Sequence, residues 1–209
     1  MVLRKATKHD INRIVEIHCD AFKGFFLTSL GPAFLKFYYG HFIKHPETIT
    51  MVAEEDNVIY GFSAATSRCK GFNSRLIKSN LISFGLFYIV LLFTSPKSLL
   101  RLVKNLTKKS DEIEDDEDYA ELYSIGVAKT AQGKGVGKLL LRSTESEMKV
   151  SGIKRLSLTT DYNNNDSTLA FYQAMGYNAL YTFVAYPNRK MFRLIKNLDD
   201  TGTGHGDRG

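Results

Sequence analysis

Three groups of residues in this chain have types and spacings suited to chemistry. The first is the run Gln132-Gly133-Lys134-Gly135-Val136-Gly137, placed between an apolar segment ending at Val127 and a helical pattern beginning near Gly135. Glycines let the backbone approach a ligand closely, and a helix N-terminus offers unpaired N–H groups and the positive end of its dipole. Such a loop is suited to holding an anion of the pyrophosphate type. Its spacing excludes the dinucleotide fingerprint, because Lys138 stands where the third glycine is needed. It also excludes the Walker loop, because Leu139 follows Gly137-Lys138 and Gln132 occupies the first glycine position. The second group is the run from Thr160 to Tyr177, in which an Asn-rich turn (Asn163, Asn164, Asn165) leads to Phe171-Tyr172 and an exit at Gly176. The third is a scatter of titratable side chains, Glu121, His18 and Tyr123, each able in principle to accept a proton. His41 and His45 lie four apart with no third ligand in view, so no metal is expected.

These residues need elements to position them. Val2 to Ala6 reads as a first strand. Thr7 with Asp10 forms a capping-box-like start to a helix running through Phe22, with Ile11, Ile14, Val15, His18 and Phe22 on one face. Gly31-Pro32 opens a second helix carrying Leu35, Tyr38, Tyr39 and Phe42. Thr48–Ala53 and Val58–Ala65 flank the acidic turn 54–57 as a hairpin. Further strands are predicted over Glu121–Val127, Ile153–Thr160 and Tyr177–Tyr186, with one more open over Arg189–Ile195. Helices are predicted over Gly135–Val150 and Ser167–Met175.

The glycine loop alone would be no more than a flexible turn. With the Asn-rich turn and Phe171-Tyr172-x-x-x-Gly176-Tyr177 in register behind it, the sequence resembles the GNAT N-acetyltransferase superfamily. The signature of that family after its fourth strand, Gln/Arg-x-x-Gly-x-Gly/Ala, is matched by Gln132 to Gly137. The resemblance covers about Leu3 to Ile195 in element order and is sharpest from Glu121 to Tyr177. It implies an α/β (α+β) fold whose central, mostly antiparallel mixed sheet has about six to seven twisted strands, flanked by helices and splayed at strands 4 and 5.

It further implies acetyl-coenzyme A as co-substrate, with the pyrophosphate on backbone N–H groups of Gln132, Gly133, Lys134, Gly135, Val136 and Gly137. The pantetheine arm would pair with the backbone of Ile125 and Val127, and Asn165 would contact the coenzyme. Acyl transfer from a thioester needs a neutral amine, donors for the oxyanion and a proton for the departing thiolate. By resemblance the Ile125 N–H polarises the carbonyl and Tyr172 serves the thiolate, while Gly126 would permit backbone distortion beside the ligand. Glu121 is the expected base, although a one-residue change of strand face would put Leu122 inward instead. His18, Tyr123, a water relay and an amine arriving neutral stay open.

The 209 residues suggest one domain at about 150 residues per domain, here 1–198 with a helical insertion over about 67–118 and a frayed tail over 199–209. A net charge of +6 with 44% apolar residues fits a folded, phosphate-binding protein. No helix-turn-helix or RNP-type motif supports a nucleic-acid partner. Cys19 and Cys69 form no framework, and the N-terminus has no signal-like apolar run, so a cytoplasmic location is expected. Residues 67–110 carry nine Lys or Arg and no acid, whereas 111–118 hold seven carboxylates in eight positions. The insertion could complete a local core, contact a membrane surface peripherally through residues 81–109, cover the acceptor site, or pack against a second subunit as a homodimer. The acceptor is expected to be a small-molecule amine, with the amine of a nucleotide-linked amino sugar favoured by likeness to bacterial relatives. A protein N-terminus or lysine, a polyamine, and a silent coenzyme sensor are the alternatives.

Overall fold

The computed structural model describes residues 1–94, 115, 118–185 and 188–199. The chain runs β1 (Val2–Lys5), α1 (Ile11–Ala21), α2 (Phe26–Ser29), α3 (Pro32–Phe42), β2 (Thr48–Glu55), β3 (Val58–Thr66), α4 (Phe72–Ser79) and α5 (Leu81–Thr94). It continues through β4 (Ala120–Val127), α6 (Val136–Val150), β5 (Arg155–Asp161), α7 (Asp166–Ala174), β6 (Asn178–Ala185) and β7 (Arg189–Asn197). The seven strands form one sheet in the order β1-β2-β3-β4-β5-β7-β6. Every pair is antiparallel except β4 and β5. The mixed, mostly antiparallel sheet flanked by helices is thus as expected.

Local chemistry explains the first half. Thr7 and Asp10 do form a reciprocal capping box, which starts a short 3-10 turn that leads into α1. Arg4 on β1 donates to both Asp10 oxygens at 2.8 and 2.9 Å, which holds that carboxyl down to about 2 and ties the strand to the helix start. The hairpin turns on Asp56 and Asn57, whose φ angles of 51° and 61° give the twist that suits an antiparallel pair. These are two residue types that tolerate the left-handed region.

The core lies on both faces of the sheet. On one face α1 and α3 bury Ile14, Ile17, Leu35, Tyr39 and Phe42 against Val52 and Phe62. On the other, α6 sets Leu141 and Met148 with Leu122, Leu156 and Leu158. The strands β5 and β6 are not neighbours, because β7 returns between them. The insertion between β3 and β4 begins with α4 and α5. Residues 95–110 of the expected helical insertion lie outside the described residues. So do the acidic run, apart from Asp115 and Asp118, and the tail beyond Asp199.

Candidate active site

Strands β4 and β5 pair only over Ala120–Leu122 with Leu156–Leu158 and then part. The register of β4 on its other side shows what this exposes. Ala128 N–H donates to Tyr60 O at 2.7 Å, and the ladder continues through Phe62 opposite Gly126 and Ala64 opposite Ser124. In an antiparallel pair alternate residues spend both backbone groups on the partner. Gly126 and Ser124 therefore face β3, and Ile125 and Val127 turn their N–H and C=O groups toward the gap that β5 has left.

A cleft of about 510 Å³ fills that gap, lined by Leu122 to Val127 on one wall and Leu158 to Asp161 on the other. Gln132, Asn165, Thr168 and Tyr172 border one end, and His18, Phe22, Phe25, Phe26 and Leu27 the opposite one.

The glycine loop sits where β4 leads into α6. Gly133 and Gly135 have φ of +75° and +78°, which other residues rarely adopt. The first intrahelical bond of α6 is Leu139 N–H to Gly135 O at 3.1 Å. The N–H groups of Val136, Gly137 and Lys138 consequently have no partner in the helix, and Gln132 to Gly135 are exposed. A chain of left-handed glycines followed by open helix N–H groups fits a pyrophosphate. These donors, all on residues of this chain, fit the pyrophosphate of a coenzyme A moiety.

Gly126 has a different reason from the one expected. Its φ is not in the left-handed region, and a Cβ there would meet Phe62 Cε1 at 2.9 Å and Ile17 Cγ2 at 3.3 Å. Glycine at 126 lets α1 and Phe62 pack against β4, so it answers to the core rather than to strain beside a ligand.

Tyr172 is buried, and its hydroxyl makes no hydrogen bond among the described residues. Burial pushes its pKa well above the ordinary value, so it stands as a neutral phenol. Asn165 uses its amide to donate to Thr160 Oγ1 at 2.7 Å and Asp161 O at 2.9 Å, which anchors the Asn-rich turn to the end of β5.

Glu121 lies outside the residues that line the cleft. Its carboxylate accepts from Arg193 at 2.7 Å and from Cys69 Sγ at 2.9 Å, at the closed base of the splay. The face it takes follows from an irregularity that the sequence did not signal. Ala64 is opposite Ser124 and Ala65 is opposite Leu122, so Tyr123 is an extra residue that resets the alternation.

His18 is only 2% exposed and reaches the cleft lining from α1. Its Nδ1 is 2.8 Å from the Tyr39 hydroxyl, beside which Ser124 sits, while Nε2 is buried with no partner among the described residues. Desolvation lowers its pKa to about 4, so the ring is neutral at physiological pH. Sequence reading had His18 as one base candidate among several. The pairing with Tyr39, twenty-one residues away on another helix, had no sequence signal.

At the same end, Arg189 on β7 forms an ion pair with Asp161 on β5 and lies 4.0 Å from the ring centroid of Phe25. It ties the end of β5 to the aromatic end of the cleft. His41 and His45 do no joint work: His41 Nδ1 meets Asn80 Oδ1 at 2.9 Å and His45 Nδ1 accepts from Glu47 N–H. Among the described residues no group of three metal-ligating side chains is present.

The comparisons with known proteins agree with this geometry. Residues 11–177 match the model of the acetyltransferase (GNAT) family. Among solved structures, a ribosomal-protein-alanine N-acetyltransferase from Brucella melitensis superposes with a TM-score of 0.62 at 15% identity, over 94% of this chain and 99% of that one. An N-acetyltransferase from Staphylococcus aureus Mu50 gives 0.60 at 17% identity, over 94% and 98%. Naa20 from Chaetomium thermophilum, solved with a bisubstrate analogue, gives 0.56 at 16%, over 94% and 86%. At such identities the likeness speaks to the fold. No curated protein sequence matches this chain.

Proposed function

The chain belongs to the acetyltransferase (GNAT) family and is an acetyl-coenzyme A-dependent acyltransferase; we propose that it moves the acetyl group to a primary amine within the β4/β5 cleft. The observation that carries this reading is the coincidence of the splay with the glycine loop at its mouth. Acetyl-coenzyme A supplies an activated acyl group on a thiol leaving group. The chain's own residues do the rest. Backbone N–H groups from Gly133 to Lys138 hold the pyrophosphate, and the outward-facing edge of Ile125 and Val127 aligns the pantetheine and offers an N–H to the carbonyl oxygen. Donors already in place stabilise developing charge without reorganising.

In this proposal the Tyr172 hydroxyl, without a hydrogen-bond partner among the described residues, gives its proton to the departing sulfur. His18 positions the acceptor. With Nδ1–H donated to Tyr39, Nε2 is left as a hydrogen-bond acceptor toward the amine, and a neutral imidazole suits a neutral nucleophile. Glu121 is assigned a structural task at the base of the splay, since Arg193 and Cys69 already engage its carboxylate.

For the acceptor, the aromatic wall of Phe22, Phe25 and Phe26, with the Arg189–Asp161 pair beside it, suits a planar or sugar-bearing amine that stacks on the rings, such as a nucleotide-linked amino sugar. A peptide N-terminus is the second reading, supported by likeness to structures named as ribosomal-protein-alanine N-acetyltransferases. Calorimetric titration with acetyl-coenzyme A, followed by thiol release on both acceptor classes, tests the proposal. Binding with thiol release on an amine is expected. Absence of binding would overturn the reading.

A further inference from the structure

The insertion carries a helix with two apolar faces, of which the fold uses one. On α5, Phe84 and Phe87 turn inward: Phe87 stacks on Phe37 at 4.5 Å between centroids and lies 5.6 Å from Phe34, and Phe84 packs edge-on to Phe37 at 4.8 Å. On the other side Leu81, Ile82, Leu86 and Ile89 are 65%, 81%, 61% and 55% exposed. Ile82, Leu86 and Ile89 recur at four and three residues and so form one stripe. No charged residue interrupts Leu81–Thr94. A helix that is apolar all round needs an apolar partner on every side, and here the outward side has none among the described residues. At 14 residues it is too short to span a bilayer, and no described helix is long and apolar enough to cross one.

The charge around the stripe selects the partner. Residues 67–110 hold nine Lys or Arg and no Asp or Glu. The exposed Lys78 stands one turn before α5. The nearby Arg75 is neutralised by Glu47 at 2.8 Å, but Arg68, Lys70 and Lys78 have no ion pair among the described residues. Carboxylates begin only at Asp111, and Asp115 of that run is turned to Tyr119, just before β4, and to Tyr181 on β6. Two copies meeting through this face would oppose cation to cation. An anionic lipid surface offers apolar depth for the stripe and negative charge for its border.

We propose that α5 lies in the plane of an anionic membrane, with Ile82, Leu86 and Ile89 inserted at the interface and Lys78, one turn before the helix, against the headgroups. The arrangement has a consequence for the site. The inward residues Phe84 and Tyr88 line an apolar cavity of about 250 Å³ that shares Phe26, Leu27 and Tyr123 with the cleft. Docking sets the acceptor end of the cleft beside the bilayer and leaves the glycine loop away from it.

Sedimentation of the full chain with vesicles tests this independently of catalysis. With phosphatidylcholine containing about a third phosphatidylglycerol at low salt, most of the protein is expected in the pellet. Pure phosphatidylcholine should retain at least tenfold less, and added salt should release the bound fraction. The double variant I82E/L86E, at two exposed positions, should lose binding by at least tenfold while keeping the wild-type melting temperature and acetyl-coenzyme A affinity. Should that variant melt early, K78E with the salt series replaces it. Wild-type protein staying in the supernatant with anionic vesicles would overturn the proposal, as would a solution dimer abolished by I82E/L86E without vesicle binding. Failure to bind acetyl-coenzyme A would instead fall on the enzymatic reading alone.

Discussion

The two ends of the cleft are built from different materials. The coenzyme end is backbone: left-handed Gly133 and Gly135, open N–H groups at the start of α6, and the unpaired edge of β4. The acceptor end is side chain: Phe22, Phe25, Phe26, His18 and the Arg189–Asp161 pair. Backbone donors suit a ligand that never changes, because their geometry is set by the fold and tolerates many side chains. Rings and charges suit a ligand that differs from one protein to the next. The comparison explains why the family is plain from one end while the acceptor must be sought at the other.

The largest expected effect lies where the two walls meet. Replacing Arg193 with leucine strands the buried Glu121 carboxylate, which costs about 3–5 kcal/mol, read as a fall in the urea unfolding midpoint. Adding Glu121→Gln should recover much of it. If both ends then bind their ligands normally, the pair is purely structural, as the comparison holds.

At the acceptor end, burial holds the folded pKa of His18 near 4 against an ordinary 6.5. The unfolded chain therefore takes up the proton first as pH falls. Stability owed to the neutral ring is intact above about pH 6.5 and is lost progressively between 6.5 and 4, on the order of 3 kcal/mol in all. Denaturant midpoints of wild type and His18→Gln across that range should converge as the pH drops. Parallel curves would mean that the ring is not held neutral.

Between the ends, Tyr172→Phe should lower kcat by about a hundredfold, in the range for loss of a general acid, with acetyl-coenzyme A affinity unchanged. A change confined to affinity would move Tyr172 to the binding side of the comparison.

The smallest effect sharpens the contrast most. Gly135→Ala at φ +78° costs about 1–2 kcal/mol of backbone strain, and should weaken acetyl-coenzyme A about tenfold by calorimetry. Lys134→Ala in the same loop, a side chain on a backbone cradle, should cost less than half that free energy.

Much of this division was legible beforehand. Glycine loops and helix starts are local, so Gln132 to Gly137, the Thr7–Asp10 box and the Asp56-Asn57 turn could be read from neighbours in the chain. What escaped was set by distant partners. The return of β7 between β5 and β6 depends on pairings across the whole C-terminal third. The face of Glu121 depends on the extra residue at Tyr123, and the link from His18 to Tyr39 on α1 and α3 packing together. The reason for Gly126 was misread for the same cause: its neighbour in space is Phe62, on another strand. Residues that touch only their own segment announce themselves, and those that serve a contact do not.

The central claim is that the coenzyme is held by the backbone of the splay and the glycine loop. Amide hydrogen exchange with and without acetyl-coenzyme A tests it most directly. Protection is expected at Ile125 and Val127 and from Gly133 to Lys138, with little change at Gly126 and Ser124, whose groups are already spent on β3. Saturating coenzyme that leaves those amides exchanging at their free rates, or protects a different region, would contradict the account.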